Sequence, residues 1–291
     1  MRTSAIVPDF DHYAAIDWSG AVGPRQKGIA VAICSAGSAA PVLVRPGHIW
    51  SRQEVCDWLL DGMPARTLVG LDLGASLPFA DQNAYFPGWA ENPEDARTLW
   101  ALVDRVCSGD AHLAAASFVD HPQAAEHFRR HGGRKGRFFE GRGRLRVTEE
   151  AQRAQGLNPY SNLNLVGAAQ VGKSTLTGMR VLHRLRGRLP VWPFDRPGPS
   201  TVVEIYTTIA SLAAGRPKSR AKMRTVEELA AALVALGSDP VPGAGPVDDH
   251  KSDALLTAAW LRAHAHRPEL WHPAAMTPHI ATTEGWTFGV T

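Results

Sequence analysis

Short apolar runs separated by turn-forming residues dominate the first third of the chain. Tyr13-Ala14-Ala15-Ile16-Asp17 is an apolar run that ends in an acid and then in the turn-like Ser19-Gly20. Gly28 to Cys34 and Pro41 to Val44 are two more such runs, with Gly and Pro between them. Three closely spaced strands joined by short turns predict an antiparallel meander. Ser51 with Glu54 gives a capping-box start to an amphipathic helix through Leu60. Thr67-Leu68-Val69-Gly70-Leu71-Asp72 follows as a nearly continuous apolar strand, the kind buried on both faces of a parallel sheet. Pro93 suits the first turn of a helix running to about Cys107.

Helical spacing returns later. Leu176, Met179, Leu182 and Leu185 mark one amphipathic helix. Thr201 to Tyr206 is a strongly β-prone run. Thr225 with Glu228 opens a further helix that Gly237 closes. Asp248 to about His266 is a long last helix, stopped by Pro268. The expected architecture is α/β: a mixed five-stranded sheet flanked by helices, in a single domain over residues 1–291. Its core is about 11–107 and 200–267, with a large middle insertion at about 108–199 and a C-terminal extension at 268–291.

Composition narrows this picture. The chain has 291 residues, 44% of them hydrophobic, which is enough for a sizeable core. Cys34, Cys56 and Cys107 are odd in number and lie in apolar contexts, so they read as reduced core residues. No stretch approaches a membrane span and the N-terminus lacks a signal-like apolar run, so the expectation is a cytoplasmic protein with no membrane partner. The net charge of +3 decides little by itself. Its distribution says more: Arg129 to Arg146 holds eight Lys and Arg against the single acid Glu140, among five glycines. This segment reads as a mobile basic loop. Arg134, Lys135, Arg137, Arg142 and Arg144, with Phe138 and Phe139 among them, have the charge and stacking groups for nucleic acid. Arg216 to Arg224 is a second basic cluster. Either segment can equally be a solvated surface.

Acids at the ends of apolar strands are the main chemical signal. Asp17 and Asp72 end two strands, and parallel pairing would place both carboxylates in the crevice where open α/β sheets bind ligands. Glu204 sits inside an apolar strand, where it needs a cation or donor, and an arginine of the basic segments is one candidate. Asp249, His250 and Asp253 recur at helical spacing and share a face of the last helix. Asp248 and Asp249 also suit a helix N-terminus simply as acids favoured by the dipole. Converging carboxylates repel one another without a cation, and hard oxygen ligands suit Mg²⁺ or Mn²⁺. The expected metal ligands are Asp17, Asp72, Asp249, His250 and Asp253. The expected catalytic set is Asp17, Asp72, Glu204 and Asp253, acting in phosphodiester cleavage.

At these residues a resemblance enters. Ala15-Ile16-Asp17-Trp18-Ser19-Gly20-Ala21, Val69 to Gly74 with Ser76-Leu77-Pro78, Val202 to Tyr206, and Asp248 to Leu255 look like the ordered motifs of the domain-of-unknown-function family 429. Trp192-Pro193-Phe194 and Glu284 to Gly289 look like it too, so the resemblance spans roughly Tyr13 to Val290. It implies a nuclease of ribonuclease H-like fold, with metal-binding roles for Asp17, Asp72 and Asp253. His250-x-x-Asp253-Ala254-Leu255 more distantly resembles the last helix of Holliday-junction resolvases, although Asp72 stands where those carry Glu.

Two rival classes remain. Asp17-Trp18-Ser19-Gly20 and Asp72-Leu73-Gly74 resemble the phosphate turns of actin-like phosphotransferases, and a degenerate, non-catalytic nucleic-acid-binding module is the other alternative. Gly167 to Ser174 also fits the G-x-x-x-x-G-K-[ST] phosphate loop in full. Its context argues against it. The preceding residues 160–166 are half polar, and two prolines spoil the strand leading to Asp195, the nearest partner acid. The expectation is that Lys173 is not a nucleotide ligand.

Overall fold

The computed structural model describes residues 7–166, 171–218 and 222–291. The strands are β1 (His12–Asp17), β2 (Ala30–Ser35), β3 (Val42–Leu43), β4 (Thr67–Asp72), β5 (Val191–Trp192) and β6 (Thr201–Glu204). Helices α1 (Arg52–Asp57), α2 (Ala96–Val106), α3 (Ala116–Asp120), α4 (Val147–Ala154) and α5 (Val171–Leu185) precede β5. After β6 come α6 (Thr207–Ala213), α7 (Val226–Ala235), α8 (Asp249–His264), α9 (Pro268–Trp271) and α10 (Pro278–Thr283).

The strands form one six-stranded sheet in the order β3-β2-β1-β4-β6-β5. β1, β2 and β3 pair antiparallel, as the short turns predict, while β1, β4, β6 and β5 run parallel. The sheet therefore has one strand more than the five expected. The extra strand is Val191–Trp192, between Pro190 and Pro193. Proline cannot donate to a ladder, and this strand accordingly lies at the edge. The β-prone run at 201–206 ends as a strand at Glu204.

Alternation along the strands sorts side chains onto two helical layers. Ala14, Ile16, Val69 and Leu71 face one core, with Val55 of α1, Leu99 of α2 and Met179 of α5. Ala15, Ala32, Leu68 and Val203 face the other, with Leu233 of α7 and Ala258 of α8. Within residues 108–199, α5 packs on α1 and α2 and supplies Leu176, Met179 and Leu182 to the first core. The three cysteines are free and buried, as expected.

Local signals set several helix ends. Ser51 and Glu54 form the capping box at α1. At α2 the cap is Asp95 with Thr98, two residues after the Pro93 start expected from the sequence. Thr225 accepts from the Glu228 amide at α7. Asp248 accepts from the amides of His250 and Lys251 at α8. Asp248 is thus a helix cap. Among the described residues no helix is long and apolar enough to cross a membrane.

Candidate functional site

Parallel pairing of β1 with β4 sets Asp17 directly beside Asp72. Both lie at the carboxyl ends of their strands, and alternation turns both toward the layer that holds α8. That helix approaches closely because the facing positions are small. A Cβ on Gly70 would lie only 2.7 Å from Ile205 and 3.1 Å from Leu261 of α8. Gly70 therefore fixes the depth at which α8 docks. The start of α8 then falls over the ends of β1 and β4. His250 Nδ1 lies 2.8 Å from Asp17 Oδ2, and Asp253 is buried near both strand-end acids.

Lys222 reaches the same spot. Its Nζ is 3.5 Å from Asp253 and 3.7 Å from Asp249. Sequence reasoning placed Lys222 in a basic cluster but did not connect it to the acids. Nothing in the spacing of residues 216–224 signals that contact.

The charges at this site do not balance. Burial pushes the Asp17 carboxyl above the usual carboxylate range, against the pull of its hydrogen bond and ion pair with His250. Asp72 is held well above that range, first by burial and then by the charges of Asp17 and Asp253. Asp253 is pushed up to about 6, mainly by burial and against the pull of Lys222. The hydrogen bond to Asp17 raises the His250 pKa. Burial disfavours the Lys222 ammonium, but Asp253, Asp249 and Asp17 outweigh it, so its pKa also rises. Every one of these groups holds its proton more tightly than it would in water. The site is deficient in positive charge.

The donor chemistry suits a hard divalent cation, but the side chains do not form a ready shell. Among the described residues no group of three or more His, Cys, Asp or Glu is arranged to hold a metal ion. The contacts explain this. Asp17 is turned to His250, Asp253 faces Lys222, and Asp72 takes a backbone hydrogen bond from Thr207. Asp249 lies at the helix start, where only Lys222 approaches it within 4.0 Å among the described cations.

Glu204 does not join this cluster, contrary to the expected catalytic set. Its register partner on β4 is Leu71, one residue short of Asp72, so it faces the opposite layer of the sheet. There it meets Arg146, which is 1% exposed. Arg146 donates to both Glu204 oxygens, at 2.8 and 2.5 Å, and also pairs with Glu149. The Ala75 amide and the Thr287 hydroxyl complete the Glu204 carboxylate. Burial disfavours the Arg146 cation, but Glu149 and Glu204 overcome this and hold its pKa well above the ordinary value. Nearby, Glu284 accepts from the amides of Phe79, Ala80 and Val147. Glu204 is thus one half of a buried ion pair, the alternative that its sequence context left open.

The basic segment divides in two. Arg134, Lys135, Arg137 and Arg142 are exposed, as nucleic-acid contacts need to be. Arg144 is not available in that way. It forks onto Asp81 and donates to the carbonyls of Pro78, Ala84 and Tyr85. Arg146 is buried outright. The segment is also less free than a mobile loop, since Arg129 bridges to Lys135 and Asn164.

Residues 167–170 of the phosphate-loop match lie outside the described residues. The residues just before them, 161–166, belong to no sheet strand. Asp195 is bonded to Arg97. Ser174, in the first turn of α5, lines the same cavity as Asp72.

Comparison of the chain with family models, with curated proteins and with solved structures gave no match.

Proposed function

We propose that the protein is a divalent-metal-dependent phosphodiesterase acting on nucleic acid, built on a ribonuclease H-like sheet. The strand order supports the fold: an antiparallel β1–β3 meander whose first strand continues into parallel β4 and β6. One observation carries the function. Asp17 and Asp72 stand side by side at two strand ends, Asp253 faces them from α8, and burial, with repulsion added at Asp72 and Asp253, leaves all three short of positive charge.

In this reading Asp17, Asp72 and Asp253 would hold a Mg²⁺ or Mn²⁺ ion in place of the Lys222 contact with Asp253. The ion would supply Lewis-acid polarisation of the phosphoryl oxygen and an activated water. His250 orients the Asp17 carboxylate through its 2.8 Å contact and can exchange a proton with the attacking water or the leaving oxygen. Glu204 takes no part in the chemistry; with Arg146 it holds the end of β6 in place.

The test is cleavage of single-stranded, duplex, hybrid and branched substrates with Mg²⁺, with Mn²⁺ and with EDTA. Asp17→Asn should lower the metal-dependent rate by about 100-fold or more, at least the loss expected when a group supporting a metal ligand is removed. Equal rates for Asp17→Asn and the unaltered protein would rule the reading out.

A further inference from the structure

Two cavities meet at one aromatic ring. The first, of about 300 Å³, opens beside Asp72 and is walled by Trp18, Tyr206 and Ser174 over the Arg146–Glu204 pair. The second, of about 560 Å³, is lined by Arg142, Arg144, Arg153, Asp81 and Glu150. Pro159 and Tyr160 line both. Tyr160 is therefore the partition between the carboxylate site and the basic segment.

The ring is exposed while its base is rigid. Tyr160 is 41% exposed, yet Ser161 and Asn162 beside it are buried. The Ser161 hydroxyl donates to the Arg144 carbonyl, and the Asn162 amide donates to the Ser76 carbonyl. An aromatic side chain left in water on an anchored backbone loses little entropy when something stacks on it. The cations around it are differently occupied. Arg144 is bound to Asp81 and Arg153 to Glu150. Arg142 instead lies over the Tyr160 ring, 5.7 Å from its centre.

The charges indicate which part of a nucleotide goes where. Without a metal ion, Asp72, Glu149 and Glu204 outnumber Arg146 around the first cavity, so a phosphate is repelled from it. A flat, uncharged base is not, and the Trp18, Tyr160 and Tyr206 walls suit one. The phosphate is better placed on the other side of the ring, at Arg142.

We propose that Tyr160 is a stacking platform for an unpaired base, with Arg142 holding an adjacent phosphate, so that a single strand runs from the carboxylate site across the ring to the basic segment. This rests on the nucleic-acid reading above and adds to it: the substrate is single-stranded where it enters the site. A base inside a duplex already has both faces stacked and cannot use the ring.

The experiment measures binding without catalysis. Fluorescence anisotropy with a labelled oligonucleotide, single-stranded or as a blunt duplex, is followed in EDTA across a salt series. Tyr160→Ala should weaken single-strand binding about tenfold, with an unchanged salt slope, while Tyr160→Phe binds like the unaltered protein. Arg142→Gln should weaken binding and reduce the slope of log affinity against log salt by about 0.7. Duplex binding should not respond to either Tyr160 variant.

Unchanged affinity in Tyr160→Ala, an equal loss in Tyr160→Phe, an equal loss on duplex, or no binding of single strands at all would each overturn the proposal. The Phe variant guards against a folding defect. The catalytic reading is separable: Tyr160-dependent binding without metal-dependent cleavage defeats that reading alone. Metal-dependent cleavage by Tyr160→Ala at unaltered affinity defeats this one alone.

Discussion

The protein buries carboxylates in two places near the ends of its central strands, and the two places solve the same problem in opposite ways. Around Arg146, each buried acid has its partners: Glu149 and Glu204 share the guanidinium, and Glu284 takes three backbone amides. Around Asp17, three acids share one lysine at the rim and one histidine. The first arrangement has a hydrogen-bond partner for every acid, although burial and the charge of Glu204 still hold the Glu149 carboxyl above its usual range. The second remains under electrostatic stress until a positive group arrives. Satisfied buried charge reads as architecture, and unsatisfied buried charge reads as a place for chemistry.

The comparison breaks most visibly by mutation at the satisfied end. Arg146→Met leaves Glu149 and Glu204 buried without their cation, and it should cost about 3–5 kcal/mol in urea unfolding. Glu204→Gln should also destabilise, by less, since Glu149 still holds Arg146. Little change in either variant would mean that the network is not structural.

At the stressed end the sign reverses. Asp72→Asn removes a charge that its neighbours resist, so in EDTA at pH 8 it should stabilise the fold by on the order of 1 kcal/mol. The pH dependence has the same origin. Asp253 has a folded pKa of about 6, above its ordinary value, so the folded chain binds the extra proton. The stability this contributes is complete in acid, below the ordinary carboxylate range, and is lost as pH rises through about 6. His250 is raised as well, so its contribution is likewise lost on the alkaline side. The stability of the unaltered protein relative to Asp253→Asn, measured by chemical denaturation in EDTA, should fall from pH 5 to 8, because His127, His183 and His264, whose lowered pKa values push the slope the other way, act equally in both. A rise with pH would contradict the charge assignment.

The smallest effect is the most local. Lys222 pulls the Asp253 pKa down, so Lys222→Met should move the titration of Asp253 further above about 6 in carboxyl NMR. An unmoved titration would remove Lys222 from the site.

Much of the acidic site was legible because one-dimensional signals carried it. Asp17 and Asp72 each end an apolar run, and parallel pairing of those runs puts them together. Asp253 follows a capped helix start by one turn. Glu204 carries the same signal and went elsewhere, because the face of a strand depends on register. Pairing with Leu71 rather than Asp72 sends it through the sheet, and no residue within β6 encodes that choice. Arg146 was hidden for a different reason. Among eight cations in a glycine-rich stretch it looks like one more solvated charge, and only the fold shows that Glu149, Glu204 and the Glu284 carbonyl enclose it. Lys222 was missed because its contacts with Asp249 and Asp253 are distant in sequence.

The contact between His250 and Asp17 spans 233 positions of the chain. A ribosome makes the N-terminal strand first, and roughly ten seconds or more of synthesis separate it from the helix that completes the cluster. Through that interval Asp17 and Asp72 can pair, but Asp253 and His250 do not yet exist. An unfinished polypeptide therefore carries the sheet without the acid that closes over it. On the proposed reading the site would stay incomplete until the last long helix has left the exit tunnel and docked over the ends of β1 and β4.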